Sequence, residues 1–114
     1  MIGHENTVKA KQITAIDALN AELKVLVSPE EGWDDHVLRR IEVSMQGYTP
    51  KHSHPWYHVN YIISGEGELM ISDKITKIMK GNYAFIPANT LHQFRNVGNE
   101  PLVFLCIVPK EGHQ

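Results

Sequence analysis

Residues 47–65 read GYTPKHSHPWYHVNYIISG, and three of the chain's seven histidines fall within positions 52–58 of it. His52 and His54 are two apart, so on an extended strand both point to the same face. Pro55 then interrupts any ladder, and His58 enters the next run with even parity, in register with Asn60 and Ile62. Histidine-rich short tracts favour metal binding. Read alone, the tract is either a metal site or a polar loop of solvated imidazoles. A three-histidine metal site usually brings a carboxylate to offset the ion's charge, and none lies between 52 and 58.

The sequence on either side supplies short apolar runs ended by frequent turn residues, which is a β pattern. Glu22–Val27 is a strand closed by Ser28-Pro29. His36–Met45 alternates, with Val37, Ile41, Val43 and Met45 on one parity and Arg40, Glu42 and Ser44 on the other. Val59–Ile63 forms a strand, and Gly65-Glu66-Gly67 a turn. Runs 68–72 and 75–79 form a hairpin around Asp73-Lys74. Strands Tyr83–Ile86, Leu91–Arg95 and Leu102–Val108 follow. Only residues 14–23 (TAIDALNAEL) are ambiguous, and can take a helical turn or two. Some eight short strands without a long amphipathic helix predict an all-β sandwich, jelly roll or barrel.

At 114 residues the chain is expected to be one domain, with residues 1–35 as N-terminal strands or an arm packed on a barrel of residues 36–110. A formal net charge of -2 and no polybasic run predict no nucleic-acid partner and no anionic-membrane partner. No apolar stretch approaches a membrane span and the N-terminus lacks a signal-peptide core, so a cytoplasmic location is expected. Cys106 is the one cysteine, which excludes an internal disulfide and a cysteine-based zinc cage.

A fourth histidine, His92, opens the Leu91–Arg95 run with Phe94 on its face. Alone it would read as an ordinary hydrogen-bonded strand histidine. Its surroundings give it more weight. Gly81 is followed by Pro87, His92 and Asn96, as His52, His54 and His58 are preceded by Gly47 and followed by Gly65. These two segments resemble the two motifs of the cupin superfamily, G(x)5HxH(x)3-4E(x)6G and G(x)5PxG(x)2H(x)3N, over at least Arg39 to Val108. The resemblance implies a double-stranded β-helix, the cupin jelly-roll barrel. The chain departs from the pattern at three points. The gap from Gly47 to His52 is one residue short, and Asn89 replaces the second-motif glycine, which is mild because Asn tolerates the left-handed conformation. His58 stands where the family has its glutamate.

The last departure, with HSHPWYH and the ending FLCIVPKEG, makes the chain similar to small single-domain manganese cupins with four histidine ligands. The resemblance implies that His52, His54, His58 and His92 hold the metal and leave two adjacent coordination positions. Four neutral imidazoles leave a divalent ion its full charge, which favours anionic ligands. Ligand softness points to zinc, copper, nickel or iron before manganese, whereas the resemblance points to manganese.

Arg39 shares the odd parity of its strand. It is either an anion clamp beside the metal or an arginine at the barrel mouth with its guanidinium in water. Asn60 is placed to orient a ligand histidine or to sit satisfied at a strand edge. Phe94, Phe104 and Cys106 supply an apolar pocket wall or plain core, and Trp56 and Tyr57 flank the ligands at the rim. His4, His36 and His113 read as surface residues.

Two function classes remain. One is a metal-dependent oxygenase or related oxidoreductase on a small organic substrate. The other is a non-catalytic cupin that binds or senses a small anion, with cupin isomerases and lyases as further variants. The expected partners are a small-molecule ligand and, from the resemblance and from Leu105 and Ile107 needing cover, a second copy of the chain.

Overall fold

Most of the short runs have one face to bury and a Gly, Pro or Asn to end them, and that is what makes them strands. In the computed structural model, which describes residues 1–113, the strands are β1 (Lys11–Gln12), β2 (Leu19–Val27), β3 (His36–Tyr48), β4 (His58–Ser64), β5 (Glu66–Ile71), β6 (Lys74–Met79), β7 (Tyr83–Ile86), β8 (His92–Asn96) and β9 (Leu102–Pro109). Single 3-10 turns occupy Glu5–Thr7, Pro29–Glu31 and Lys110–Gly112. Among the described residues no helix is long and apolar enough to cross a membrane.

All the pairings are antiparallel, in the order β6-β5-β8-β3-β9-β4-β7, with β2 against β3 and β1 against β2. β3 is long enough to serve two neighbours. Its first half, His36–Val43, pairs with β9, and its end pairs with β8 at Tyr48↔Arg95. That handover curls the sheet into the expected all-β jelly-roll barrel.

The alternation in the sequence becomes inside and outside. Leu102, Phe104, Cys106 and Val108 of β9 are all buried, as are Val37, Ile41 and Val43 of β3. Phe94 of β8 stacks on Phe104 with centroids 4.1 Å apart and fills the middle of the barrel. The outer parity of β9, Leu105 and Ile107, pairs across β4 with Tyr61 and Val59, which are 48% and 40% exposed. With Tyr83 and Phe85 of β7 beside them, this face stays apolar and solvent-exposed.

Two sequence expectations give way here. Alternation puts Met45 on the buried parity of β3, but it is 53% exposed. The next residue, Gln46, has φ 67, which ends the regular pleat, and the register against β2 shifts between Leu19 and Ala21. Gly47 is needed at this point, because a Cβ there would lie 2.6 Å from the Leu19 carbonyl oxygen. The ambiguous segment 14–23 is not helical. It turns at Ile16-Asp17 and is already extended at Leu19, because Ala21 and Leu23 pair with Val43 and Ile41. Tertiary pairing overrides helix propensity.

Candidate metal centre

The backbone brings the two histidine-bearing segments together. The main chains of His52 and His92 exchange hydrogen bonds of 3.2 and 3.0 Å, and the Asn89 amide donates to the His54 carbonyl at 2.6 Å. Thr49 reinforces the join. Its amide donates to the Phe94 carbonyl at 2.9 Å and its hydroxyl accepts from the Phe94 amide at 3.0 Å. Asn89 has φ 61, the conformation usually supplied by glycine. Asn96, the last residue of the second motif, is structural, since its amide donates to the carbonyls of Val43 and Glu100 at 2.9 Å each.

The four imidazoles then converge. Ligand atoms of His52, His54 and His92 all lie within 4.8 Å of one another, a cluster able to hold a metal ion. His58 falls outside that mutual spacing but adjoins it through His92, Nε2 to Nε2, at 3.1 Å. His58 and His92 are buried, His54 is half-buried and His52 is exposed.

Three of the rings have a fixed tautomer. His54 Nδ1 donates to the Trp56 carbonyl and His92 Nδ1 to the Thr90 carbonyl, each at 2.8 Å. His58 Nδ1 donates to Asn60 Oδ1 at 2.8 Å, while the Asn60 amide nitrogen reaches the Leu105 carbonyl at 3.4 Å and so fixes the orientation of the amide. With the proton on Nδ1, each Nε2 presents a lone pair, the form in which imidazole binds metals. At His58 and His92 two such lone pairs face each other at 3.1 Å without a proton between them, an arrangement that a cation relieves.

Burial, and next the neighbouring His92, push the pKa of His58 down to about 3. Burial lowers His92 to about 4, against the bond to the Thr90 carbonyl, which acts in the other direction. Both are therefore neutral and ready to bind a metal at neutral pH. The linkage sign follows. In the unfolded chain these rings protonate near the ordinary value of about 6.5, so below that pH the unfolded state binds more protons. Stability contributed by these sites is full above about pH 6.5 and is lost as pH falls toward the folded values. The metal-free protein should lose melting temperature steadily from pH 7 to pH 5, measured with a chelator present. A flat profile over that interval would show that the rings are not held neutral by burial.

A cavity of about 160 Å³ opens beside the histidines. Arg39, Asn60, Phe94, Phe104, Cys106 and Trp56 line it together with His52, His54, His58 and His92. Trp56 stacks on His54 at 4.6 Å and 11°, so it braces a ring of the cluster as well as shaping the rim. Tyr57 does not line the cavity. It turns to the outer surface, where its hydroxyl lies 3.0 Å from His36 Nε2 and its ring stacks on Phe85.

Sequence reasoning missed Ile13, Leu23, Thr49, Pro50 and Gly112, which also line the cavity. Ile13 and Leu23 arrive through β1 and β2, whose pairing no local motif announced. Gly112 packs against the Trp56 indole so closely that a Cβ would collide with Nε1. His113, expected at the surface, is half-buried beside it.

Residues 39–108, more than half of the chain, match the family described as the cupin domain (Cupin_2). The chain is a cupin. Among solved structures, this cupin is similar to the polyketide cyclase RemF from Streptomyces resistomycificus, with a TM-score of 0.89 and 30% identity, covering 96% of this chain and 78% of that one. It matches a predicted oxalate decarboxylase from Thermotoga maritima with a TM-score of 0.82, over 96% and 98% of the two chains. At 20% identity that is a likeness of fold alone. The 1-methylthio-D-xylulose 5-phosphate methylsulfurylase of Rhodospirillum rubrum is 32% identical over 74 residues, 65% of this cupin and 47% of that protein. An uncharacterized protein of Methanocaldococcus jannaschii is 35% identical over 48 residues, 42% of this chain and 38% of that one. The matched region is thus under half the length of these curated relatives.

Proposed function

We propose that this cupin is a metal-dependent oxidoreductase, of oxygenase type, that acts on a small organic substrate through a divalent ion held by His52, His54, His58 and His92. The observation that carries the reading is the set of Nδ1 hydrogen bonds at His54, His58 and His92, which spend the protons on the outside of the cluster and leave Nε2 for a shared ion. The 3.1 Å between the His58 and His92 Nε2 atoms supports including His58. Manganese is the proposed ion, by likeness to the four-histidine cupins, over iron, zinc, nickel or copper.

A divalent ion so held supplies Lewis-acid and redox chemistry to whatever oxygen donor reaches it. The chain's own residues do the rest. Asn60 holds the His58 ring in one orientation, and Trp56 packs flat on His54. Phe94 and Phe104 line the cavity with a stacked apolar pair that excludes water from the reacting end. The metal-replete protein should consume dioxygen with a small enolic or phenolic substrate, and a His54→Ala variant should not. Absence of oxygen uptake across a broad panel, with tight binding of one ligand, would make the protein a binding module instead.

A further inference from the structure

Among the described residues, the one charged side chain lining the cavity belongs to Arg39. It enters from the first half of β3, where it is flanked by Val25 of β2 and Cys106 of β9. Its neighbour in sequence shows what a structural arginine in this fold looks like. Arg40 faces out, with Nε 2.8 Å from a Glu5 carboxylate oxygen, though not aligned for a hydrogen bond, and Nη1 3.1 Å from Glu42. Among the described residues Arg39 has no acidic partner within ion-pair distance. Its side-chain contact is Nη2 to the Cys106 sulfur at 3.2 Å, a weak acceptor, and its Nε is buried with no acceptor at all.

Arg39 is half-buried, and its Nε, shut off from water without an acceptor, is a donor that costs free energy until an anion satisfies it. The Arg40 Nε is also without a hydrogen bond but lies 2.8 Å from the Glu5 carboxylate. Among the described residues no carboxylate lines the cavity, and Asp17 is the acid whose charge is felt at His52 on its rim. Burial first, and then the charges of Arg39 and Lys11, lower the pKa of His113, so that ring adds no charge of its own beside Arg39 at neutral pH. Ile41, Phe94 and Phe104 make the adjoining wall apolar. The cavity's 160 Å³ matches the size of engineered cavities of about 150 Å³ that hold benzene, so the enclosed part of a ligand is limited to roughly six to ten non-hydrogen atoms.

We propose that Arg39 is a substrate-specificity residue that binds the carboxylate of a small organic acid and directs the acid's other end to the histidine cluster. The inference rests on the metal-centre reading for the role of that other end, and on Arg39 alone for the carboxylate. An arginine fork matches a carboxylate's two oxygens, with Nε and one Nη as the donors. Here Nε is the atom left free, and Nη2 has only a sulfur to give up.

The test uses the full-length, metal-replete protein with benzoate as probe and benzamide as its neutral counterpart, titrated calorimetrically. Benzoate should bind the wild type more tightly than benzamide. Arg39→Met should weaken benzoate about 10–100-fold, the loss of a charged hydrogen-bonded contact, and change benzamide by less than about threefold. Arg39→Lys should recover part of the loss, and metal content and melting temperature should match the wild type in both variants. Equal benzoate affinity in wild type and Arg39→Met, or no benzoate binding by the metal-replete wild type, would overturn the proposal. So would inorganic phosphate displacing benzoate at lower concentration than carboxylates do, which would assign the site to phosphoryl groups. Wild-type protein that takes up no divalent metal yet still shows the Arg39-dependent preference would leave this inference standing and overturn the metal reading instead.

Discussion

Replacing His92 with alanine should cost the protein its metal while leaving the barrel folded. His92 is 3% exposed, and its Nε2 is the atom on which the cluster closes. It belongs to the group of ligand atoms within 4.8 Å and it is the neighbour of His58 Nε2 at 3.1 Å. Losing even the hydrogen-bond partner of a ligand histidine lowers metal affinity about 10–100-fold, so losing the ligand itself should lower it by more than about 100-fold. The fold should survive because β8 is held by its backbone. It pairs with β5 from Gly67↔Asn96 to Ile71↔His92, and the His52–His92 bridge also uses main-chain atoms. The measurement is metal affinity by competition with a chelator, with circular dichroism as the control for folding. A folded His92→Ala variant that binds metal as tightly as the wild type would contradict the account.

The second large effect concerns stability. Gly65 has φ 84 and sits between β4 and β5, where a Cβ would collide with the Pro101 carbonyl oxygen and lie 2.8 Å from the Leu102 Cα. Two penalties therefore add, about 1–2 kcal/mol for a left-handed non-glycine residue and a further backbone displacement at the start of β9. Gly65→Ala should destabilise by about 3 kcal/mol or more, a fall in melting temperature of roughly 10 °C or more for a domain of this size. Gly81 provides the comparison. It has φ 95 but nothing within 4 Å of an added Cβ, so Gly81→Ala should cost only the conformational term, about 1–2 kcal/mol. Equal losses in the two variants, read from thermal melts, would show that the contact with Pro101 does not matter.

These residues also show how far the sequence could be read. The spacing of His52, His54 and His58 and the second motif around His92 are visible in sequence, whereas what joins them is an isolated His52–His92 bridge and the Asn89 bond to the His54 carbonyl, outside any long strand. Spacing is also visible in β9, where Leu102, Phe104, Cys106 and Val108 keep one parity and all point inward. Met45 breaks its pattern because the positive φ of Gln46 rotates the strand, and a single residue's φ is not written in its neighbours. The 14–23 segment reads as ambiguous locally and becomes strand only because β3 is there to pair with it. Gly112 and Tyr57 were out of reach for a similar reason. One depends on where a chain end packs and the other on a partner, His36, that is 21 residues away. Arg39 lies between these cases. Its parity put it on the inward face, but that it lacks an acidic partner is a fact of three dimensions.

The missing carboxylate is the feature on which the account turns, since His58 stands where a cupin has its glutamate. The most direct test is X-ray absorption spectroscopy on the metal-replete protein, purified without a histidine tag. The account predicts a divalent ion, manganese by its edge, with about four imidazole nitrogens in the first shell and the remaining positions filled by light oxygen donors. A shell with three imidazoles and a carboxylate, or a spectrum unchanged when His58 is replaced by alanine, would contradict it.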